Sequence, residues 1–291
     1  MKHKTKQEIE AFNKQIAQDT FQILEQGYYD IGEIRFYIAE DLKNSIKNSA
    51  HIKDWKFFLN YNEEFVKDIQ KWPAVLQLDT KYEVTLESTL DACRRIYKKD
   101  ANILALNFAS ATKPGGGVLN GRIAQEESLA RSSSLYPTIV KHKKFYEKNK
   151  TIDTNHLYLD DIIYSPNVSI FKTDLGELTK PYYASFITSP APNMGAILDN
   201  TPEFASKVEQ VFLDRIEKIL AFASYMNYKT LVLGAWGCGV FRNNPNDVAK
   251  WFSYHFKGKF KNVFQKVVFA IYDKEDGDIY KAFKKEFENE R

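Results

Sequence analysis

Apolar positions recur near helical spacing over residues 5–26, at Ile9, Phe12, Ile16, Phe21, Ile23 and Leu24, and Gly27 is a natural stop. "YYDIG" followed by "IRFYIAE" predicts a short hairpin, and "YNEEFVKDIQK" (61–71) predicts a helix. From residue 82 the pattern alternates. "YEVTLES" predicts a strand and "STLDACRRIYKK" a helix, with Ser88 as its cap and Leu90, Cys93 and Ile96 on the inner face. "NILALNFAS" (102–110) is nearly continuous in apolar residues, as a strand covered on both sides requires. A loop over 111–121 precedes a helix over 124–135. Two further strands are expected in "DDIIYSPNVSIFK" and "YYASFITSPAPN", and a long helix over 201–227. "KTLVLGAWGCGVF" reads as a strand entering a glycine loop, "DVAKWFSYHFK" as a helix, "KVVFAIYD" as the last strand and "IYKAFKKEFENE" as the closing helix.

Strands alternating with helices favour an α/β fold, a sheet with helices on both faces. The segment before residue 80 is expected to be a small N-terminal extension packed on a core domain spanning 81–291. No internal repeat or low-complexity linker interrupts that domain.

Composition narrows the functional classes. Hydrophobic residues make up 44% and charged residues 27% of the 291 residues, which suits a globular chain able to bury a sizeable core. The net charge of +3 gives no basis for a strong sequence-independent grip on nucleic acid. Short lysine runs, "KHKK" (141–144) and "KGKFK" (257–261), read as solvated faces. The two cysteines, Cys93 and Cys238, form no zinc-like cluster, so a reducing, cytoplasmic compartment is expected. The first twenty residues lack the apolar run of a signal peptide. No stretch approaches the roughly 18 apolar residues of a transmembrane helix, so no membrane partner is expected.

Candidate chemistry concentrates at two glycine loops. "PGGG" (114–117) and "GAWGCG" (234–239) each follow a strand, where open α/β sheets place their ligands. Glycine lets backbone N–H groups approach a ligand, and successive N–H groups form an anion-binding concavity. One such cluster alone reads as a tight turn; two of them after two strands point to a phosphate ligand. "GAWGCG" is not GxGxxG and lies near the last strand, which disfavours a nicotinamide-dependent oxidoreductase.

Gln125, Glu126 and Glu127 follow the first loop at the start of a helix. Adjacent helical residues cannot flank one bond from opposite sides as the carboxylates of an ordinary glycosidase do. One is therefore expected to do the chemistry and the other to hold substrate hydroxyls. A helix N-terminus lowers a carboxyl pKa, whereas a general acid needs it raised. A bound diphosphate supplies that correction, so the acid is expected to be poorly poised without ligand. Cys238 reads as a small filler, and His3, His51, His142, His156 and His255 form no base or metal constellation.

"PGGGVLNGRIAQEE" resembles the signature of poly(ADP-ribose) glycohydrolases, a glycine triplet followed at a short interval by Gln-Glu-Glu. The wider run to Tyr136, with "YEVTLESTLDACRRI", "SFITSPAPN" and "LVLGAWGCGVFRNNPNDVA", is similar to the compact microbial branch in the same order. The resemblance implies a macrodomain-like mixed sheet flanked by helices on both faces. It implies cleavage of the ribose–ribose O-glycosidic bond of poly(ADP-ribose) with release of ADP-ribose, without metal or cofactor, by a protein expected to be a monomer. Glu127 resembles the catalytic acid and Glu126 its hydroxyl-holding neighbour. Gly115, Gly116, Gly117, Val118 and Gln125 would border the ribose and phosphates, Gly237, Cys238, Gly239 and Val240 the diphosphate, and Phe241 the sugar. An Asn that animal members carry before the triplet has Asn107 and Ser110 as its nearest counterparts. Arg242 stands where a small residue is expected, beside the diphosphate or facing water. Tyr272, at a strand end, is a candidate to stack on adenine. Two other outcomes stay open: removal of single ADP-ribose groups from protein or nucleic acid, and an ADP-ribose reader without catalysis. Retention of both glutamates separates an enzyme from a reader.

Overall fold

The computed structural model describes residues 5–60 and 79–288, so the helix expected over 61–71 lies outside the described residues. Helix α1 (Lys6–Gln26) starts at a capping box between Thr5 and Glu8 and stops at Gly27, whose φ of 79° ends the helix in a left-handed turn. The hairpin β1 (Tyr28–Ile31) and β2 (Ile34–Tyr37) follows, then helix α2 (Ala39–Asn48) and the short strand β3 (Ala50–Ile52).

The main sheet has seven strands in the order β3-β6-β7-β5-β8-β9-β4. Its other members are β4 (Lys81–Thr85), β5 (Ile103–Phe108), β6 (Ile162–Lys172), β7 (Leu178–Ser189), β8 (Thr230–Leu233) and β9 (Lys266–Ala270). The β7, β5, β8, β9 and β4 strands run parallel; β6 lies antiparallel between β7 and β3, so the edge strand β3 shares the direction of the other five. Six strands therefore deliver their carboxyl ends to one edge. Residues before 80 contribute an edge strand to this sheet through the pairing of Ala50 with Tyr164.

Alternation along each buried strand builds two cores. Leu104 and Leu106 of β5 and Phe269 of β9 face a cluster with Phe212, Ile216, Trp236, Phe252 and Phe256. Ile103 and Ala105 face the opposite cluster with Leu90, Cys93, Ile96, Leu129, Ile139 and Phe145. The first cluster is supplied by helices α8 (Val208–Tyr225) and α9 (Pro245–Lys257); the second by α3 (Thr89–Tyr97), α4 (Gln125–Ser132), α5 (Leu135–Val140) and α6 (Lys143–Thr151). A short helix α7 (Met194–Asn200) follows β7, and α10 (Asp278–Phe287) closes the chain. Among the described residues no helix is long and apolar enough to cross a membrane.

Several boundaries differ from expectation for local reasons. The helix predicted over 124–135 is two helices, broken at Ser133 in an extended conformation. Ser133 Oγ donates to Leu129 O, and Ser134 and Ser169 exchange hydrogen bonds, so the serine run trades helix continuity for pairing with β6. The helix expected over 201–227 begins as a 3-10 turn, Pro202–Lys207, before Val208. The basic run before Phe145 opens α6, which buries Phe145, Tyr146 and Asn149.

Candidate active site

Helix α4 follows the first glycine loop at the carboxyl end of β5. Gln125 fixes the junction. Its Oε1 accepts from Phe108 N at 2.9 Å, and its Nε2 donates to Leu106 O at 2.8 Å and Thr89 Oγ1 at 3.1 Å. Its side chain is thus committed to tying strand to helix rather than turned to a ligand.

Glu126 is 3% exposed and Glu127 8%. Glu126 Oε2 accepts from Ser110 N at 2.7 Å, and its Oε1 lies 3.4 Å from Asn107 Nδ2. Asn107 is fully buried, also donates to Thr188 Oγ1 at 3.1 Å, and its Oδ1 has no hydrogen-bond partner among the described residues. Burial pushes the Glu126 carboxyl up to about 8; the Ser110 N–H opposes the rise, the neighbouring Glu127 adds to it, and the donors at Asn107 and Gly115 oppose it. Glu127 Oε1 accepts from Gly117 N at 2.8 Å. Its other oxygen has no hydrogen-bond partner among the described residues.

Close approach of the loop to this pair explains Gly116. Its φ is +57°, and a Cβ there would lie 2.4 Å from Glu127 Oε1 and 3.2 Å from Glu126 Oε2. Gly115 turns beside Tyr136, and Val118 is 2% exposed, packed with Ala17 of α1 and Ala130 of α4. Val118 therefore anchors the loop through its side chain and offers no side-chain surface to a ligand.

The second loop leaves β8 at Leu233. Trp236 is fully buried and donates Nε1 to Ser189 O at 3.1 Å, fixing the loop to the end of β7. Cys238 N donates to Ala235 O at 3.1 Å, whereas the backbone N–H groups of Gly237, Gly239, Val240 and Phe241 make no hydrogen bond among the described residues and are available to an anion. Val240 is 81% exposed at the loop tip, and Phe241 packs 6.1 Å from the ring of Tyr158. Burial pushes the Cys238 thiol up to about 12, which keeps it protonated and unreactive. A cleft of about 600 Å3 opens beside this loop, with Cys238, Gly239, Arg242, Asn243, Lys281 and Lys285 among its lining residues; neither Glu126 nor Glu127 lines it. Arg242 turns from the loop to Gly195 O at 2.5 Å and Asp199 Oδ2 at 2.7 Å. Tyr272, at the end of β9, is 89% exposed. Among the described residues no group of three or more His, Cys, Asp or Glu side chains is arranged to hold a metal ion.

Three contacts behind the site had no signal in the sequence. Asp174, in the β6–β7 turn, accepts from Ser88 Oγ at 2.5 Å and from Ser128 Oγ, joining the cap of α3 to α4. Arg131 is 6% exposed and donates Nη1 to Arg122 O at 3.3 Å, bracing the end of the glycine loop. Asn13 Nδ2, on α1, donates to Gly121 O at 3.1 Å.

The family model of the microbial-type PARG catalytic domain matches residues 17–173. The chain is similar to the crystal structure of poly(ADP-ribose) glycohydrolase from Thermomonospora curvata, with 37% identity and a TM-score of 0.83 over 94% of this chain and 99% of that one. The same Thermomonospora enzyme bound to the inhibitor ADP-HPD is 36% identical, with a TM-score of 0.82, over 94% and 99% of the two chains. Poly(ADP-ribose) glycohydrolase from Deinococcus radiodurans in complex with ADP-ribose is 36% identical, with a TM-score of 0.75, over 85% of this chain and 96% of that one. No curated protein matches the sequence. The seven-stranded mixed sheet with helices on both faces is macrodomain-like, as in these structures. With a family match over more than half its length and relatives aligned over most of it, the chain belongs to the microbial-type poly(ADP-ribose) glycohydrolase family.

Proposed function

We propose that this protein is a poly(ADP-ribose) glycohydrolase that binds the terminal ADP-ribose across its two glycine loops and hydrolyses the ribose–ribose O-glycosidic bond. The observation that carries the reading is the position of Glu127. Gly117 N–H holds one of its oxygens, Gly116 leaves room against it, and the second oxygen has no hydrogen-bond partner among the described residues. Both oxygens of Glu126, by contrast, already face protein donors at Ser110 and Asn107.

These environments divide the work. Glu127 acts as the general acid and donates a proton to the bridging oxygen as the C1–O bond breaks. The positive charge that develops on the sugar faces the carboxylate left behind. Water adds to C1, and its proton returns to Glu127, so the residue ends as it began. Burial favours the neutral form of Glu126, which offers an O–H to a ribose hydroxyl. The free N–H groups of Gly239, Val240 and Phe241 supply the diphosphate cradle, with the backbone of Gly115–Gly117 opposite. Phe241, packed beside Tyr158, walls the sugar, and the exposed ring of Tyr272, after β9, is the reading's stacking surface for the base.

Parallel incubation with poly(ADP-ribose), mono-ADP-ribosylated protein and ADP-ribosylated DNA tests the reading. Release of ADP-ribose from the polymer is expected. Release from a mono-modified substrate alone would move the protein to single-group hydrolysis, and ADP-ribose binding without release would make it a reader.

A further inference from the structure

The connection between α6 and β6 is strained in a way that its topology does not require. Asn155, His156 and Tyr158 hold φ values of 50°, 64° and 63°, a left-handed conformation that residues with a Cβ adopt reluctantly. A buried cation is hydrogen-bonded to the end of this loop. Arg215, on α8, is fully buried; its Nη2 donates to Leu157 O at 3.1 Å, Tyr158 O at 3.2 Å and Asp160 Oδ1 at 2.8 Å. Its Nη1 donates to Pro190 O at 2.7 Å, just past the end of β7. Lys218 Nζ holds the other Asp160 oxygen at 2.5 Å, and Asn193 N donates to His156 O at 2.9 Å.

The side chain that this scaffold presents is Tyr158. Its ring lies 6.1 Å from that of Phe241 at 44°. The backbone of Phe241 is fixed separately, by Gly195 N at 2.9 Å, which leaves its ring to be set by packing. Among the described residues the Tyr158 hydroxyl makes only a 3.5 Å contact with Asn193 Nδ2, so the ring rather than the hydroxyl carries the interaction. The scaffold also borders the reacting edge. Pro190 follows Ser189, which pairs in register with Phe108 at the end of the strand that leads to the glutamates.

We propose that Tyr158, fixed by the Arg215-pinned loop, is a positioning residue that holds the Phe241 ring against the sugar whose glycosidic bond is cut. The proposal rests on the reading of Phe241 as the sugar wall. Aromatic packing orients the ring, and small misplacements at a reacting sugar lower the rate more than they lower affinity.

Tyr158→Ala, Tyr158→Phe and Phe241→Ala, assayed beside the wild type on poly(ADP-ribose), test it, with ADP-ribose affinity by calorimetry and thermal melting for each. Tyr158→Ala is expected to lower kcat about tenfold or more while KM and the ADP-ribose Kd move less than about threefold. Tyr158→Phe is expected to restore most of the wild-type kcat. Unchanged kcat in Tyr158→Ala overturns the proposal, as does a kcat loss that tracks a lower melting temperature and is not rescued by phenylalanine. If Phe241→Ala keeps its kcat, the sugar-wall reading falls and takes this proposal with it; a loss there without one in Tyr158→Ala sinks the Tyr158 role alone. A wild type inactive on polymer but active on mono-modified protein overturns the polymer reading, and the same variants are then compared on that substrate. A wild type inactive on both overturns both proposals.

Discussion

The backbone N–H of Gly117 donates to the Glu127 carboxylate at 2.8 Å, joining the last glycine of the triplet to the second glutamate of the pair. Glutamine at 127 keeps an acceptor for that N–H and loses the proton that the reaction needs. Glu127→Gln is therefore expected to lower turnover at least about a hundredfold, within the usual range for a lost general acid, while ADP-ribose binding stays near wild type. A product-release assay showing wild-type turnover would remove Glu127 from its role.

Gly116 presses on the same carboxylate. An added methyl meets Glu127 Oε1 at 2.4 Å, and the backbone at φ +57° disfavours any L side chain. Gly116→Ala is expected to lose stability by about 1–2 kcal/mol from the backbone alone and to lose turnover by displacing Glu127. Denaturant midpoints and rates measured together check both losses; an alanine variant with normal kcat would show that the loop and the acid are not coupled.

Glu126 links pH to stability. Its carboxyl is raised from an ordinary 4.5 to about 8 by burial, with a contribution from Glu127. Between those values the folded chain binds a proton that the unfolded chain releases, so this contribution is present in acid and is lost as pH rises toward 8. Its slope is at most about 1.4 kcal/mol per pH unit. Glu126→Gln removes it. The stability of wild type minus variant is expected to decline from pH 5 to pH 8, and urea unfolding at both pH values measures it. A difference that does not change with pH would place the titration elsewhere.

The N-terminal helix reaches the same loop. Gly121 has φ +74°, and a Cβ there would fall 1.8 Å from Glu10 O of α1. Asn13 and Glu10 bind Gly121 O and Arg122 respectively, the latter at 3.0 Å. Gly121→Ala is expected to destabilise the protein by more than about 1 kcal/mol and to lower kcat, because α1 supports the loop that positions Gly117. Loss of stability with full activity would make α1 a separate attachment.

Local pattern carried much of this site. The strand ending at Phe108, the two glycine loops and the Glu126–Glu127 pair are each written in a few consecutive residues, and alternation along β5 states which side chains face each core. What stayed hidden depends on partners distant in sequence. Asp174 meets Ser88 across 86 residues and Ser128 across 46, and Arg215 meets Tyr158 across 57. Gln125 reads as a ligand contact from its place in the motif, yet its bonds to Phe108, Leu106 and Thr89 occupy its side chain within the protein. The break at Ser133 is written in "SSS", but only the neighbouring β6 strand makes extended pairing there the better outcome.

Arg242 shows how a cation beside a phosphate loop can serve another purpose. Its guanidinium is taken by Gly195 O and Asp199 Oδ2, and both members of the ion pair are more than half exposed, at 54% and 64%. Such a surface pair is worth at most about 1 kcal/mol. Its backbone, at φ +56°, closes the loop through Arg242 N to Gly239 O at 3.0 Å. Arg242→Ala is therefore expected to change the ADP-ribose Kd by less than about threefold, and Arg242→Gly to match it with less backbone strain. Calorimetry decides: a weakening of tenfold or more in both variants would mean that the guanidinium leaves Asp199 for the diphosphate when ligand binds.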